Sequence, residues 1–292
     1  MSDLDYVGAA LLGVIQGLTE FLPISSSAHL ALTQRWLGLD PDSTRMLLFD
    51  VVTHCGTLVA VFIVFAAPAR RFLRRLPSEL SPAWPQRRYA LQICGLAAAA
   101  SVPTAVIGLA LKDTFESAFD KPRWIGAALI VTGLLLACTK WTGRATCGWR
   151  EFGWWRAALV GFAQAGAILP GISRSGATIC IARFLGLRKR WAAQFSFLIA
   201  VPAILGAAAI KFKDAFERPV NQLDHTIWGP IILGGLISAV VGVGALRLLL
   251  NMVQRAKLYY FAPYCWLLGV LLVAGVLERN DCAGVVALAA LF

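Results

Sequence analysis

The chain has 292 residues, of which 58% are hydrophobic and only 15% are charged. A soluble globular domain carries about a quarter charged residues, so this composition indicates a membrane protein. The net charge of +11 would suit a nucleic-acid-binding protein. However, the basic residues cluster at the ends of apolar segments, which indicates membrane topology and no nucleic-acid partner. Seven cysteines without CxxC spacing predict neither a zinc site nor a disulfide framework.

The first apolar segment, Tyr6–Leu37, is interrupted in its middle by Pro23 and by polar residues. Asp3 and Asp5 precede it where a secretory signal would carry basic residues, so we expect no cleaved signal peptide. The segment is too long for one crossing and too short for two, since a crossing takes about 20 residues. It therefore predicts a helix–break–helix hairpin that dips to mid-membrane and returns.

Six further apolar segments have the length of full crossings. They run near 46–66, 89–111, 123–139, 191–211, 228–250 and 259–277. Between the third and the fourth lies a second interrupted segment, Trp154–Leu187, which is broken by Pro170 and Gly171. We expect it to form a second hairpin of the same kind. Glycines in the fifth crossing predict close helix packing rather than a nucleotide loop; they are Gly234, Gly235, Gly242 and Gly244.

The two hairpin segments resemble each other, because Gln16 and the Pro23–His29 stretch match Gln164 and Pro170–Thr178. A hairpin adds no net crossing and three crossings add an odd number, so the second repeat must be inverted. The predicted fold is an all-α polytopic membrane protein of two inverted repeats, each a re-entrant helix hairpin plus three transmembrane helices. The single membrane domain covers 1–292, with repeat one at 1–140 (hairpin 6–37) and repeat two at 150–278 (hairpin 154–187).

Charge predicts the orientation of these elements in the membrane. Four arginine-rich loops are expected on the cytoplasmic side, at 67–88, 140–156, 188–190 and 251–258. Every crossing then alternates without conflict. The first hairpin enters from the outer side and the second from the cytoplasm, so their tips should meet near the midplane, where such folds place their sites.

Few ionisable side chains fall within the apolar segments, and each costs a few kcal/mol there, which makes them functional candidates. They are Glu20, His29, Asp50, His54, Arg174 and Arg183. Arg183 is expected to reach toward the cytoplasmic edge. Asp50, Thr53 and His54 share one helix face, where they either support the site or serve helix packing.

Glu20 lies four residues after Gln16, so both side chains project from one helix face. Their carboxylate and amide oxygens could hold a divalent cation, with phosphate oxygens completing the shell. The alternative is an ion pair between Glu20 and Arg174 that braces the two hairpins.

Serines follow the break of each hairpin and precede its second helix. Ser25, Ser26 and Ser27 could simply cap that helix, but the same helix start favours a phosphate anion. The second hairpin repeats the pattern with Arg174 among its polar residues, so the two helix starts predict a phosphate clamp. The candidate contacts of this half are Ser173, Ser175, Gly176 and Thr178.

His29 lies three residues after Ser26, one helical turn on. A serine needs an adjacent base to attack phosphorus, and histidine is the usual one. We therefore expect Glu20, Ser26, His29 and Arg174 to be catalytic, with Arg174 stabilising charge that develops on the phosphoryl oxygens.

The stretches Gln16–His29 and Leu169–Thr178 resemble the two signature segments of the undecaprenyl-diphosphatase family, the bacitracin-resistance proteins. The resemblance also includes Phe49–Val51 and Gln194–Leu198 and extends over nearly the whole chain. It implies hydrolysis of undecaprenyl diphosphate to the monophosphate and inorganic phosphate at the outer face of the bacterial cytoplasmic membrane. This reaction recycles the lipid carrier for cell-wall synthesis and confers bacitracin resistance.

The resemblance further implies a divalent cation, magnesium or calcium. It assigns the acidic motif to Gln16 and Glu20, the serine–histidine motif to Ser25–His29, and the essential arginine to Arg174. The first acidic position often holds glutamate in the family, so glutamine here removes one ligand or proton carrier. Many relatives carry a Tyr-Arg pair where this chain has Tyr264 and Cys265, so a role for that arginine does not transfer.

Two other functions compete with the enzyme. Inverted repeats also build transporters, and a carrier of a lipid phosphate would need the anion clamp without a nucleophile and base. A structural scaffold does not explain ionisable groups at mid-depth. Direct attack by water competes with attack by Ser26, and the oligomeric state stays open, with a homodimer as one candidate.

Overall fold

A computed structural model describes residues 4–80, 89–143, 145–217 and 227–276. Arg144, parts of the predicted loops 67–88 and 212–227, and the end of the sixth predicted crossing lie outside the described residues. Within the described ranges the chain forms twelve α-helices. They are α1 (Tyr6–Thr19), α2 (Ser26–Trp36), α3 (Thr44–Val64), α4 (Ala66–Leu80), α5 (Tyr89–Ala110), α6 (Lys112–Phe119), α7 (Pro122–Cys138), α8 (Trp154–Gly166), α9 (Arg174–Phe184), α10 (Lys189–Glu217), α11 (Trp228–Gln254) and α12 (Ala262–Val273).

Five helices of the described chain are long and apolar enough to cross a membrane, namely α3, α5, α7, α10 and α11. They coincide with five of the six predicted crossings, which confirms an all-helical polytopic protein. The sixth segment is shorter in its helical part. It begins with a 3₁₀ turn at Leu258–Phe261 and continues as α12 to Val273, where Gly275 at φ 72° follows the helix end.

Both predicted helix–break–helix segments are present. In the first, α1 ends at Thr19 and α2 begins at Ser26, with Pro23 in the break. In the second, α8 ends at Gly166 and α9 begins at Arg174, with Pro170 in the break. Proline lacks an N–H and disfavours helix in the residue before it, which accounts for both interruptions.

Two helices lie where the sequence predicted only loops. The helix α4 occupies most of the arginine-rich loop at 67–88, and α6 lies in the loop between the second and third crossings. A search for uniformly apolar segments misses both, because their polar and apolar residues alternate around the helix. Arg35 at the end of α2 donates to Asp120 just after α6, at 2.7 Å, and Lys112 pairs with Asp214 of α10, at 2.9 Å.

Glycines allow α1 and α3 to pack directly on α11. A methyl group at Gly13 would lie 2.6 Å from the carbonyl oxygen of Gly234, so only glycine permits this approach. Gly235 packs on Val52 and Gly242 on Phe21. Close packing is therefore confirmed for three of the four predicted glycines, but it is wrong for Gly244, where an added methyl would meet no atom within 4 Å.

Aromatic residues tie the first hairpin to the second half of the chain. Phe21, in the break between α1 and α2, is fully buried and packs on Phe197 of α10 with ring centroids 5.8 Å apart. Phe197 also contacts Phe65 at the end of α3. This apolar cluster lies directly beside the break and holds the polar residues around it in place.

Candidate active site at the two hairpin breaks

Glu20 joins the two hairpin breaks. Its Oε1 atom accepts a hydrogen bond from Nη2 of Arg174, the first residue of α9. Its Oε2 atom accepts from the Ser26 hydroxyl at 2.6 Å and from Nε2 of Gln16 at 3.0 Å. A carboxylate can stay buried when it is paired and hydrogen-bonded in this way. The ion pair considered as an alternative for Glu20 is thus present, and the same carboxylate also holds Ser26.

Ser26 and His29 do not form the hydrogen bond that their spacing suggested. A serine hydroxyl has one proton, and that of Ser26 is donated to Glu20. The ring of His29 turns elsewhere: Nδ1 lies 2.7 Å from the carbonyl oxygen of Ser25, and Nε2 lies 2.7 Å from the hydroxyl of Tyr264. Nδ1 must therefore carry the ring proton, and Nε2 accepts from Tyr264. The group in contact with the Ser26 proton is Glu20.

Ser25 connects the breaks through the backbone. Its φ of 73° is an unusual conformation for a residue with a side chain. Its Oγ makes no cap within α2, contrary to the simple capping interpretation, and instead accepts from the backbone N–H of Gly171 at 3.0 Å. His29 holds the carbonyl of the same residue. The start of α2 is thus fixed against the break of the second hairpin.

The polar residues predicted around Arg174 are used mainly inside the protein. Ser173 caps α9 by accepting from the N–H of Gly176 at 3.1 Å, and its Oγ lies 3.3 Å from that of Ser175. Thr178 donates to the carbonyl of Arg174 at 2.7 Å and contacts Ser196 of α10 at 2.6 Å. These bonds position α9, so the hydroxyls of this half support Arg174 rather than lie open to a ligand.

Accessibility divides the site into an inner and an outer layer. Gln16, Glu20, Ser25 and His29 are all buried. Ser26, Ser27 and Arg174 are half-buried. His54 is also half-buried, and its Nε2 lies 3.7 Å from Oε2 of Glu20. A ligand would therefore meet the serine hydroxyls and Arg174 first, and Glu20 and His29 lie behind them.

Of the three polar residues on α3, His54 and Asp50 approach other helices. Thr53 donates to the carbonyl of Phe49 in its own helix at 3.0 Å, as expected for helix packing. Asp50 accepts from Gln34 of α2 at 2.9 Å and pairs with Lys211 of α10 at 2.7 Å. This cluster fixes α2, and with it Ser26 and His29, against α3 and α10.

The cation predicted beside Glu20 can be tested against the donors that surround it. The described residues contain no group of three or more histidine, cysteine or acidic side chains, so a cage made wholly of such ligands is absent from them. Oε1 of Gln16 is buried and has no hydrogen-bond partner within the described part of the chain. Gln16 and Ser26 both bond Glu20, and all three side chains carry oxygen donors, which magnesium and calcium prefer. The residues present therefore fit a cation whose shell a phosphate ligand completes.

Tyr264 and Lys211 are the site contacts that the sequence did not predict. The ring of Tyr264 stacks on His29 with a centroid distance of 5.7 Å and an interplanar angle of 14°. The sequence does place a tyrosine, Tyr264, inside the last apolar segment and a lysine, Lys211, near the end of a predicted crossing. Neither position predicts that Tyr264 contacts His29 or that Lys211 contacts Asp50.

Comparison of the amino-acid sequence with known proteins matches the chain to one family. The family described as bacitracin resistance protein BacA matches residues 9–271. The chain belongs to this family. It is 40% identical over 270 residues to the undecaprenyl-diphosphatase of Alkaliphilus metalliredigens, covering 91% of this chain and 96% of that protein. It is 42% identical over 270 residues to the undecaprenyl-diphosphatase of Desulfosudis oleivorans, covering 90% and 96%. For that of Rubrobacter xylanophilus the identity is 40% over 275 residues, covering 93% and 98%.

These relatives bear the name of the activity that the resemblance implied. The matched residues include both hairpin breaks and all the site residues described above, from Gln16 to Tyr264. The relatives are matched over nearly their full length.

Proposed function

We propose that this protein hydrolyses undecaprenyl diphosphate to undecaprenyl phosphate and inorganic phosphate in the bacterial cytoplasmic membrane. The reaction returns the lipid carrier to cell-wall synthesis and confers bacitracin resistance. Membership of the BacA family and the names of the relatives support the activity. The five long apolar helices support a multi-pass membrane protein.

The observation that carries the proposal for the site is Arg174. Its Nη2 pairs with Glu20, whereas its Nη1 is buried and has no hydrogen-bond partner among the described residues. An unpaired buried donor is costly, and a phosphate oxygen would satisfy it. Ser26, the first residue of α2, bonds the same carboxylate as Arg174, so the dipole at this helix start adds to the binding of the terminal phosphate.

In the proposed reaction Ser26 Oγ attacks the terminal phosphorus as its proton passes to Oε2 of Glu20. The new Oγ–P bond replaces the bond to the bridging oxygen, and undecaprenyl phosphate leaves with the electron pair of that bond. Water then hydrolyses the phosphoserine and restores Ser26. The 2.6 Å contact between Ser26 and Glu20 supports Glu20 as the proton acceptor, and Arg174 stabilises the charge on the phosphoryl oxygens.

His29 acts in this scheme as a positioning residue. Its bond to the Ser25 carbonyl holds the start of α2 in its unusual conformation, and Tyr264 fixes the ring. A divalent cation bound by Glu20 and Gln16 would neutralise part of the diphosphate charge. Ser27, half-buried beside Ser26, would contact the non-reacting phosphate oxygens.

We further infer two inverted repeats from matching contacts in the two halves. Gly13 of α1 packs on the backbone of Gly234 in α11, and Gly161 of α8 packs on the backbone of Ala100 in α5. Each glycine stands three residues before a glutamine of the matched hairpins, Gln16 or Gln164. The first helix of each hairpin thus lies on a long helix of the other half. With the arginine-rich loops in the cytoplasm, the site opens to the outer side.

The decisive experiment is phosphate release from undecaprenyl diphosphate by the purified protein in detergent, with and without magnesium. Arg174→Ala should abolish phosphate release. Arg174→Lys should restore little of it, because only the planar guanidinium of arginine can donate to Glu20 and to a phosphate oxygen at the same time. Folding is checked by the melting temperature of each variant.

The competing carrier makes a different prediction. A well-folded parent protein that binds the lipid through Arg174 but releases no phosphate would support a carrier. Release that depends on both Arg174 and Ser26 supports the enzyme.

A further inference from the structure

A second cationic site lies at the opposite end of α9 from Arg174. Arg183 is nine residues after Arg174 on this helix, which corresponds to about 14 Å along the axis at 1.5 Å per residue. Arg183 lines a surface cavity of about 1080 Å³. None of the residues assigned to the hairpin site lines this cavity, so the two are separate.

The cavity has a strongly basic lining. Four cationic side chains contribute to it, and no aspartate or glutamate among the described residues does. The four are Arg183, Arg188, Lys189 and Arg190. A cluster of this kind raises the local concentration of anions and favours their binding.

Backbone carbonyls hold three of these four cations without neutralising them. Arg183, which is buried, donates to the carbonyl oxygen of Leu187 at 3.1 Å. Arg188 donates to that of Thr146 at 2.8 Å, and Lys189 to that of Gln254 at 3.2 Å. A carbonyl carries no net charge, so the positive charge of the cluster remains available. Its side chains are nevertheless held in place, which lowers the entropy cost of binding.

The helix α10 adds a further anion-binding element. It begins at Lys189, within the cavity lining, and runs for 29 residues. The first N–H groups of a helix have no partner inside the helix, and they favour a negative charge at this end. The helix start and the basic side chains therefore both favour a negatively charged ligand.

Part of the cavity lining is apolar. This apolar wall comprises Val64 and Phe65 from the end of α3 and Leu250 and Val253 from the end of α11. An inorganic anion would leave this wall unused. An amphiphile with a phosphate headgroup and a hydrocarbon chain fits both walls.

We propose that this cavity binds a phosphate-bearing amphiphile, with the headgroup on Lys189 and its basic neighbours and the chain along the apolar wall. The site is distinct from the hairpin site, which the proposed phosphatase reaction uses. It takes an intact lipid phosphate as a ligand, and no bond is made or broken there.

The test measures the binding of dioleoyl phosphatidic acid to detergent-solubilised protein. Arg174→Gln serves as the background, so that binding at the hairpin site does not contribute. Adding Lys189→Gln and Arg190→Gln should weaken the affinity about tenfold or more, as expected when two charge-assisted contacts are lost. Adding Arg70→Gln and Arg74→Gln removes the same charge from α4, outside the cavity lining, and should change the affinity less than twofold.

Three outcomes would overturn the proposal. They are unchanged affinity in the Lys189/Arg190 variant, an equal loss in the Arg70/Arg74 control, and displacement of the lipid by an equal concentration of inorganic phosphate. The last outcome would show that the apolar wall contributes nothing. Should the double variant have a lower melting temperature, Lys189→Gln alone replaces it, with an expected loss of about threefold.

Discussion

The hydroxyl of Ser26 donates its proton to Glu20 across the break of the first hairpin, at 2.6 Å. The carboxylate that receives this proton is the one that Arg174 holds from the second hairpin. The two hairpins therefore meet through one acidic side chain, and the nucleophile proposed for the reaction is oriented by both.

Ser26→Ala should reduce phosphate release at least about a thousandfold, because the variant loses the attacking oxygen. Ser27→Ala is the matched control, since Ser27 is also half-buried but its Oγ contacts that of Ser25 at 3.3 Å, and a loss of about tenfold or less is expected. Rapid quenching should trap phosphoserine in the parent. Full activity of Ser26→Ala would instead establish direct attack by water.

A double-mutant cycle can distinguish a structural role of the Glu20–Arg174 ion pair from a role of the two residues in the reaction. Glu20→Gln leaves the half-buried guanidinium of Arg174 without its carboxylate, so thermal unfolding should show a loss of about 1–3 kcal/mol. The double variant Glu20→Gln with Arg174→Gln should recover part of that stability. It should still release no phosphate. Recovery of activity together with stability would mean that the pair only braces the hairpins.

Tyr264→Phe removes the hydroxyl that donates to His29 and keeps the stacked ring. The loss of this hydrogen bond to Nε2 of His29 should cost about 1 kcal/mol, and the start of α2 should be less well positioned. We expect a fall in kcat of about tenfold with little change in KM, since the phosphate contacts remain. A change confined to KM would place Tyr264 in lipid binding instead.

Gly161→Ala tests the contact between the two halves. The new methyl would lie 2.8 Å from Cα of Ala100, so α8 must move away from α5 at a cost of about 1–3 kcal/mol. Gly166→Ala, at the end of the same helix, meets no atom within 4 Å and should leave the melting temperature nearly unchanged. Equal melting temperatures for the two variants would contradict the close packing.

Lys112 provides a pH-dependent contribution to stability outside the crossings. Asp214, which accepts its hydrogen bond at 2.9 Å, raises the pKa of Lys112 above its usual value. A raised pKa stabilises the folded state below the unfolded pKa of about 10.4 and loses this effect as the pH rises through the folded value. Lys112→Met should therefore lower the melting temperature at pH 8 but make less difference at pH 11. Lys121→Met, at an exposed lysine, is the control and should show no such trend.

The sequence predicted those features that depend on neighbouring residues in the chain. Five of the six crossings predicted from apolar length are long helices, and Pro23 and Pro170 predicted both breaks, because chain geometry alone sets these features. The cost of burying Glu20 and Arg174 marked both as functional candidates and raised their ion pair as one alternative. Such a cost does not depend on the details of packing.

Other site features depend on contacts that spacing cannot predict. The spacing of Ser26 and His29 allows a contact, but the rotamers in the folded protein direct one to Glu20 and the other to Tyr264. The partners of His29 and Asp50 come from α12 and α10, and tertiary packing alone brings them together. The helix α4 was not predicted, because its arginines interrupt the run of apolar residues that a search for uniformly apolar segments requires.

The bond between His29 and Tyr264 also bears on biosynthesis. The two residues are 235 positions apart in the chain, and Tyr264 belongs to the last described helix. A ribosome-bound chain that has inserted only its first hairpin has Ser26 and Glu20 but lacks Arg174 and the tyrosine that fixes His29. The site is completed only after the helix that carries Tyr264 has been inserted, so a product truncated before that helix lacks the contact that fixes His29.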